Sequence, residues 1–304
     1  MNNSLSLKTK PLHRRSPFPV INAVCMCILM FVTLYPVLNT LAISFNDGTD
    51  AVRGGIKLWP RVFSMKSYET IFIDETIYSA FFITVSRTIV QTVLNIILTS
   101  MLAYALSRKE YVLRKLITTM FVLTMYVNAG LIPNYLLINN TLGLSKSFWV
   151  YIIPTMVSCF NMIVIRTYIL GLPEALVESA RIDGAGDLYL FWRIIFPLCL
   201  PVLATVALFV AVGAWNSWFD THLYNASKQR LHTLQYLLRM KLATTNNSAN
   251  AAKSTADALA STTLTTPITI RAAITVISAA PILAIYPFLQ RYFVVGLSIG
   301  SVKG

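Results

Sequence analysis

Charge is what this sequence has least of. Only 12% of its 304 residues are charged, against about 25% in soluble domains. A chain of that length cannot cover itself with a water-facing surface from so little charge, which excludes an ordinary soluble enzyme. Acidic residues are the scarcer sign, 12 against 25 Lys and Arg, for a formal net charge of +13. Histidine is nearly missing: His13 stands in the amino-terminal tail, and His222 and His232 share one later segment, so no two imidazoles sit at ligand spacing on one helix. The four cysteines, Cys25, Cys27, Cys159 and Cys199, lie inside apolar runs without zinc-site spacing and read as small buried hydrophobes with no redox or metal role. No G-x-x-x-x-G-K-[ST] phosphate loop occurs, and the G-A-G at 184–186 lacks the strand and third glycine of a dinucleotide site. The chain therefore offers no catalytic acid, base, nucleophile or metal cluster, which disfavours a membrane enzyme acting on lipid or polysaccharide.

Apolar length is what the sequence has instead. Hydrophobic residues make up 56% and aromatics 12%, with a mean hydropathy of +0.63, far too much for a disordered chain. A hydrocarbon core about 30 Å thick takes about 20 residues of helix at 1.5 Å each. Six runs meet that length, at 20–43, 78–106, 116–138, 148–170, 194–218 and 270–293. They predict an all-α integral membrane protein, a six-helix domain over 20–293 between tails 1–19 and 294–304. The first run follows Lys8, Lys10, Arg14 and Arg15 but is too long for a signal-peptide h-region and has no small-x-small cleavage site, so it reads as an uncleaved first helix.

Lys and Arg gather in the gaps between these runs, which points to lipid headgroups rather than nucleic acid. The amino-terminal tail and the segment SRKEYVLRK, with Arg108, Lys109, Arg114 and Lys115, are densely basic and belong on the cytoplasmic side. Six spans return the carboxyl tail, with Arg291 and Lys303, to that side. On the opposite side, the loop 46–76 has room for a short helix. The loop 219–268 carries Leu231, Leu234, Leu238 and Leu242 at helical spacing, then TTNNSANAAKSTADALASTTLTTP, expected as a flexible tether.

Between the fourth and fifth runs, the loop 171–193 faces the cytoplasm. Pro173 stops the preceding helix, ALVESARI holds good helix formers, and Glu174 lies near the amino end, where a carboxylate suits the helix dipole. Gly184, Ala185 and Gly186 then allow a tight turn and the close approach of another backbone. The expected product is a short helix ended by small residues, with a second helical piece entering the membrane at Pro197. Such a segment is either an ordinary surface loop or a docking helix that pushes on a soluble partner.

The run ESARIDGA followed by RIIFPLCLP resembles the EAA loop of binding-protein-dependent ABC importer permeases, whose pattern is EAA, three residues, Gly, nine residues, Ile, one residue, Leu-Pro. Glu178, Ala180, Gly184, Ile194 and Pro197 fall on it in register, while Ser179 replaces the middle Ala and Phe196 the Leu before Pro197. Asp183, Gly184 and Ala185 as DGA, Pro201 four residues after Pro197, and the tail FLQRYFVVGLSIGSVKG are similar to the carbohydrate branch. The resemblance covers essentially the whole chain and is least after Asn225. It implies a type I importer permease fold, MetI-like, in the bacterial cytoplasmic membrane, with a coupling helix over 178–185 seated in a groove of an ABC ATPase subunit. It also implies a second homologous permease subunit, an extracytoplasmic solute-binding lipoprotein and an oligosaccharide cargo. No catalytic residue and no cofactor would belong to this chain, ATP and Mg being held by the ATPase. An importer of an amino acid, a peptide or glycerol phosphate is the alternative within the class.

Polar residues inside membrane spans tend to face a bundle interior or a wet cavity. On the second run Thr84, Thr88, Gln91, Asn95 and Thr99 form one helical stripe with Arg87 beside it, where it can pair with a carboxylate or snorkel. The fourth run carries Thr155, Ser158 and Asn161, and the fifth ends in GAWNSWFD. Trp215, Asn216 and Trp218 combine stacking faces with a hydrogen-bonding amide, which suits a sugar. The stripe and these residues are candidates for a substrate pathway. The same residues serve equally as hydrogen-bonding partners between helices or, for Trp218, as an interfacial anchor.

Overall fold

The computed structural model describes residues 18–127, 129–254 and 266–299, the side chains of 245–254 and 285–299 excepted. The two tails beyond these limits and the second half of the expected tether lie outside the described residues. Without water to satisfy its backbone, an apolar run can only close its own hydrogen bonds as a helix. Three runs do so over a full membrane width: α1 (Phe18–Ser44), α4 (Thr76–Ser107) and α14 (Pro267–Ile299). Two short helices in the intervening loop, α2 (Gly48–Val52) and α3 (Lys66–Phe72), stand where one was expected.

The other three runs are broken, a departure from the continuous spans expected. The third divides into α5 (Arg114–Tyr126) and α6 (Leu131–Leu136), with Gly130 at φ 85° opening α6 and Pro133 in its first turn. A π-helical turn, Leu137–Thr141, follows. The fourth begins as two 3₁₀ turns, Phe148–Tyr151 and Ile153–Thr155, and bends by 47° into α7 (Cys159–Leu170). Pro154 has no N–H for an α-helical bond there, and Ser158 accepts from the Asn161 amide to start α7 afresh.

After α8 (Ala175–Ile182), the fifth run begins as α9 (Asp187–Leu190), passes through a π-helical turn (Phe191–Ile195) and α10 (Phe196–Leu198), and bends by 79° into α11 (Leu200–Asn216). Pro197 and Pro201 bracket that bend, each removing a backbone donor. The described residues thus hold three helices able to cross a membrane, or six spans when each bent pair counts as one. The prolines were visible in the sequence, but apolar length alone gives no weight to a break.

A mast of 32 residues, α4 runs about 48 Å. It packs against α11 and α7, α11 against α14, and α14 against α1. One apolar core joins the end of α4 (Ala103, Leu106) to α7 (Met162, Ile165), Val177 of α8 and Leu203 of α11. At the opposite end a second joins Ile77 and Ala80 of α4 to Trp215, α14 and Leu234, Leu237 and Leu238 of α13 (Leu234–Ser254). A short α12 (Phe219–Tyr224) links α11 to that region. Helix α13 runs past Leu242 to Ser254, so the first part of the expected tether is helical: once the leucines anchor the first turns, each further residue adds a bond at little cost.

The cysteine expectation holds for Cys199, buried in the first core, and fails for Cys25 and Cys27, which are exposed on α1. Most of α1 shows apolar side chains to the outside because α14 covers only part of it. That surface suits hydrocarbon, not water.

Candidate functional site

Helix α8 is short, amphipathic and closed by a backbone lock. Val177 is buried in the first core and Ala180 and Ala185 pack against it, while Glu178, Ser179, Asp183 and Gly184 are exposed. At the carboxyl end the Ala185 amide donates to the Ala180 carbonyl at 2.9 Å and the Gly184 amide to the Arg181 carbonyl at 3.0 Å. This paired closure needs a left-handed residue just past the helix, and Gly184 supplies it at φ 80°. Among the described residues other than Gly184 and its two neighbours, no heavy atom lies within 4 Å of where a Gly184 Cβ would stand, so the glycine is required by backbone conformation and leaves open space outside the turn. Ile182, 86% exposed, projects beside it, and Leu188 and Tyr189 follow on the next helix.

The structure brings the predicted loop residues together in two groups. Ile194 and Pro197, expected in register with the turn, lie in the π-helical turn and α10, with Ile194 half-buried against the core and Pro197 exposed. An open cleft of about 790 Å³ is lined by Ala180, Asp183, Gly184, Tyr189, Arg193 and Ile194. Phe196 donates its amide to the Phe191 carbonyl five residues back, a π bond that resets the helix face just before Pro197.

Sequence reading missed what straps this helix to its neighbour. Lys109 Nζ reaches Glu174 Oε2 at 2.8 Å, and Arg181 bonds both Glu110 and Asp187, the latter at 3.3 Å. The Arg181 guanidinium holds the Glu110 carboxyl below its ordinary range, and the Glu174 carboxylate raises the Lys109 ammonium above its own. Glu174 thus spends its charge on Lys109 rather than on the α8 amides it precedes. Arg166 of α7 donates to the Leu106 carbonyl at 2.9 Å, capping α4 where the strap begins. The signal available in sequence was the acidic content of the inward loop facing a basic SRKEYVLRK, which sets sign but not partners.

The polar stripe of α4 faces into this chain's own bundle. Thr84, Arg87, Gln91, Asn95 and Thr99 are buried and Thr88 is half-buried. Asn95 donates to the Thr155 carbonyl at 2.9 Å and accepts from Asn161 at 3.4 Å, so the α4 stripe and the fourth span meet. Ser158 caps α7 one turn away. Thr84 accepts from the Leu234 amide at 2.8 Å, tying α4 to the start of α13. Thr88 Oγ1, Gln91 Oε1 and Thr99 Oγ1 have no hydrogen-bond partner among the described residues.

At the far end from α8, Arg87 is buried and pairs with Asp220 through both terminal nitrogens, while its guanidinium lies 4.6 Å from the Tyr151 ring centre. Arg87 also reaches the Ser217 carbonyl at 3.4 Å. It therefore fixes the short segment between α11 and α12 that carries Trp218. Trp215 is buried and donates to the Ser278 carbonyl at 3.0 Å, whereas Asn216 is exposed and Trp218 half-buried. The Arg239 guanidinium stacks 3.8 Å from the Trp218 ring centre.

Comparison with known proteins gives a consistent picture. The family model described as "Binding-protein-dependent transport system inner membrane component" matches residues 95–298. The chain is 34% identical over 279 residues to the polygalacturonan/rhamnogalacturonan transport system permease protein YtcP of Bacillus subtilis (strain 168), covering 91% of this chain and 96% of that one. It is 33% identical over 287 residues to Protein LplC of the same organism, covering 94% and 95%. Among solved structures, a chain of a bacterial ABC transporter involved in the import of the acidic polysaccharide alginate superposes with a TM-score of 0.81 at 28% identity, over 93% of this chain and 100% of that one.

Proposed function

Because the chain belongs to the binding-protein-dependent transport system inner membrane components, we propose that it is the translocating subunit of an importer that carries an oligosaccharide inward by alternating access. Membership makes it an ABC transporter permease, a membrane protein that performs no covalent chemistry and leaves ATP hydrolysis to a separate subunit. YtcP is named for polygalacturonan and rhamnogalacturonan transport and the solved structure belongs to an importer of alginate, which supports a polysaccharide-derived cargo here.

The observation that carries the reading is the Gly184 lock. It presents Glu178, Ser179, Asp183 and the apolar Ile182 on a short helix whose other face is held in the core by Val177, Ala180 and Ala185. A rigid, exposed and partly apolar knuckle transmits force when a partner grips it, because the core behind it moves as a packed body. In this reading an ATPase subunit seats α8 on the cytoplasmic side, the termini share that side, and a second permease subunit completes the pathway. A solute-binding lipoprotein delivers the cargo to the opposite end. Uptake by the assembled importer in proteoliposomes, comparing labelled oligosaccharides with amino acids, peptides and glycerol phosphate, tests it. Oligosaccharide uptake that requires ATP is expected, and uptake of only the other solutes would overturn the sugar assignment.

A further inference from the structure

Arg239 is an exposed cation with an unusual setting. Its guanidinium carbon sits over the Trp218 ring at 3.8 Å from the ring centre, and no carboxylate lies within ion-pair distance of it among the described residues. Stacking fixes the plane of a guanidinium and leaves its N–H edge open, the geometry that takes a carboxylate through two parallel hydrogen bonds. The setting is built from beneath. Arg87, buried, pairs with Asp220 and holds the Ser217 carbonyl, so the segment bearing Trp218 has a fixed position. Beside it, exposed Asn216 and half-buried Gln235 approach to 3.5 Å and present amide groups suited to sugar hydroxyls.

We propose that Arg239, held by Trp218, is a specificity-determining residue that takes the carboxylate of a uronate-containing oligosaccharide at the mouth of the pathway. The proposal rests on the oligosaccharide reading above and narrows its substrate class to acidic sugars. A lysine there would keep the charge and lose the planar fork, whereas a neutral side chain would lose both.

The test is uptake kinetics of the assembled importer in proteoliposomes with trigalacturonate, its fully methyl-esterified form, and the neutral trisaccharide maltotriose. Wild type is expected to favour the free acid over the ester. Arg239→Gln should raise KM for the free acid about tenfold, the loss of one charge-assisted contact, with maximal rate and ester uptake unchanged. Arg239→Lys should fall between. Equal wild-type uptake of acid and ester, an Arg239→Gln change of the same size for both, or uptake of maltotriose alone would overturn the uronate assignment while leaving the importer an oligosaccharide carrier. Uptake of none of the three, with an amino acid, peptide or glycerol phosphate carried instead, would overturn the parent reading itself.

Discussion

Arg87 and Gly184 are the two residues on which the opposite ends of the molecule depend, and they fail in different ways. Arg87 is buried and Asp220, its partner, is 23% exposed. Removing the acid leaves a guanidinium stranded without water, while removing the base leaves a carboxylate that can still hydrate. Taking one partner from a buried pair costs about 3–5 kcal/mol. Asp220→Ala should therefore lower the melting temperature of the detergent-solubilised protein more than Arg87→Met does, and the reverse order would show that Arg87 is satisfied without Asp220. Gly184 is a conformational requirement instead. A side chain at φ 80° costs about 1–2 kcal/mol even in open space, and in the assembled importer it also intrudes on whatever grips the turn. Gly184→Leu should leave the permease inserted at near wild-type levels and abolish substrate-stimulated ATP hydrolysis. Normal stimulation in that variant would remove the turn from the force path.

At the scale of elements, α13 is held over the start of α4 by apolar packing and by one tie that responds to acid. Lys241 Nζ meets Asp74 Oδ2 at 2.7 Å, and Thr76 donates to the same carboxylate. Together, the Lys241 bond first, they lower the Asp74 carboxyl from 3.8 to about 2. A carboxylate whose folded value is depressed adds stability in full above its unfolded value, near 4, and loses it as pH falls through about 2. Both side chains are about a third exposed, so solvent screening limits the contribution to about 1 kcal/mol. Wild type should exceed Asp74→Asn in thermal stability at pH 6, and the gap should close on acidification toward pH 2. A gap that stays constant with pH would mean packing alone places α13.

The same element shows what the sequence conveys and what it withholds. The spacing of Leu234, Leu238 and Leu242 announced a helix, Leu231 falling in the 3₁₀ turn before it, and the helix formers ALVESARI coincide with α8, which starts three residues ahead of the 178–185 that the EAA resemblance implied. Both signals are local, carried by period and spacing. The bends at Pro154 and Pro197 were written in the sequence as missing backbone donors that apolar length does not weigh, whereas the strap from Lys109 and Glu110 to α8 is set by which helices meet. Arg87 was recognisable as an intramembrane cation in need of a carboxylate, but choosing Asp220, 133 residues away, takes the three-dimensional packing of α4 against α11.

For the whole molecule, α4 is the connecting axis: through Thr84 and Arg87 its first turns hold the segments that carry Arg239 and Trp218, and its last turns pack against the α8 knuckle. If the importer works as proposed, the two ends must open to different compartments, with α8 beside the ATPase and α13 facing the delivered cargo. The density of Arg and Lys around 108–115 favours that orientation, and exposed positions on each end allow it to be read directly. Ser179 of α8 and Met240 of α13 both face outward from the chain. In a background with Cys25, Cys27, Cys159 and Cys199 replaced by alanine, Met240→Cys should react with a membrane-impermeant maleimide applied to intact spheroplasts. Ser179→Cys should react only after permeabilisation, and more slowly when ATPase subunits are present, because the exposed face of α8 is then covered. Labelling of Ser179→Cys from outside would invert the molecule in the membrane. Labelling that is indifferent to the ATPase would leave the knuckle exposed to solvent and place the grip elsewhere on the bundle.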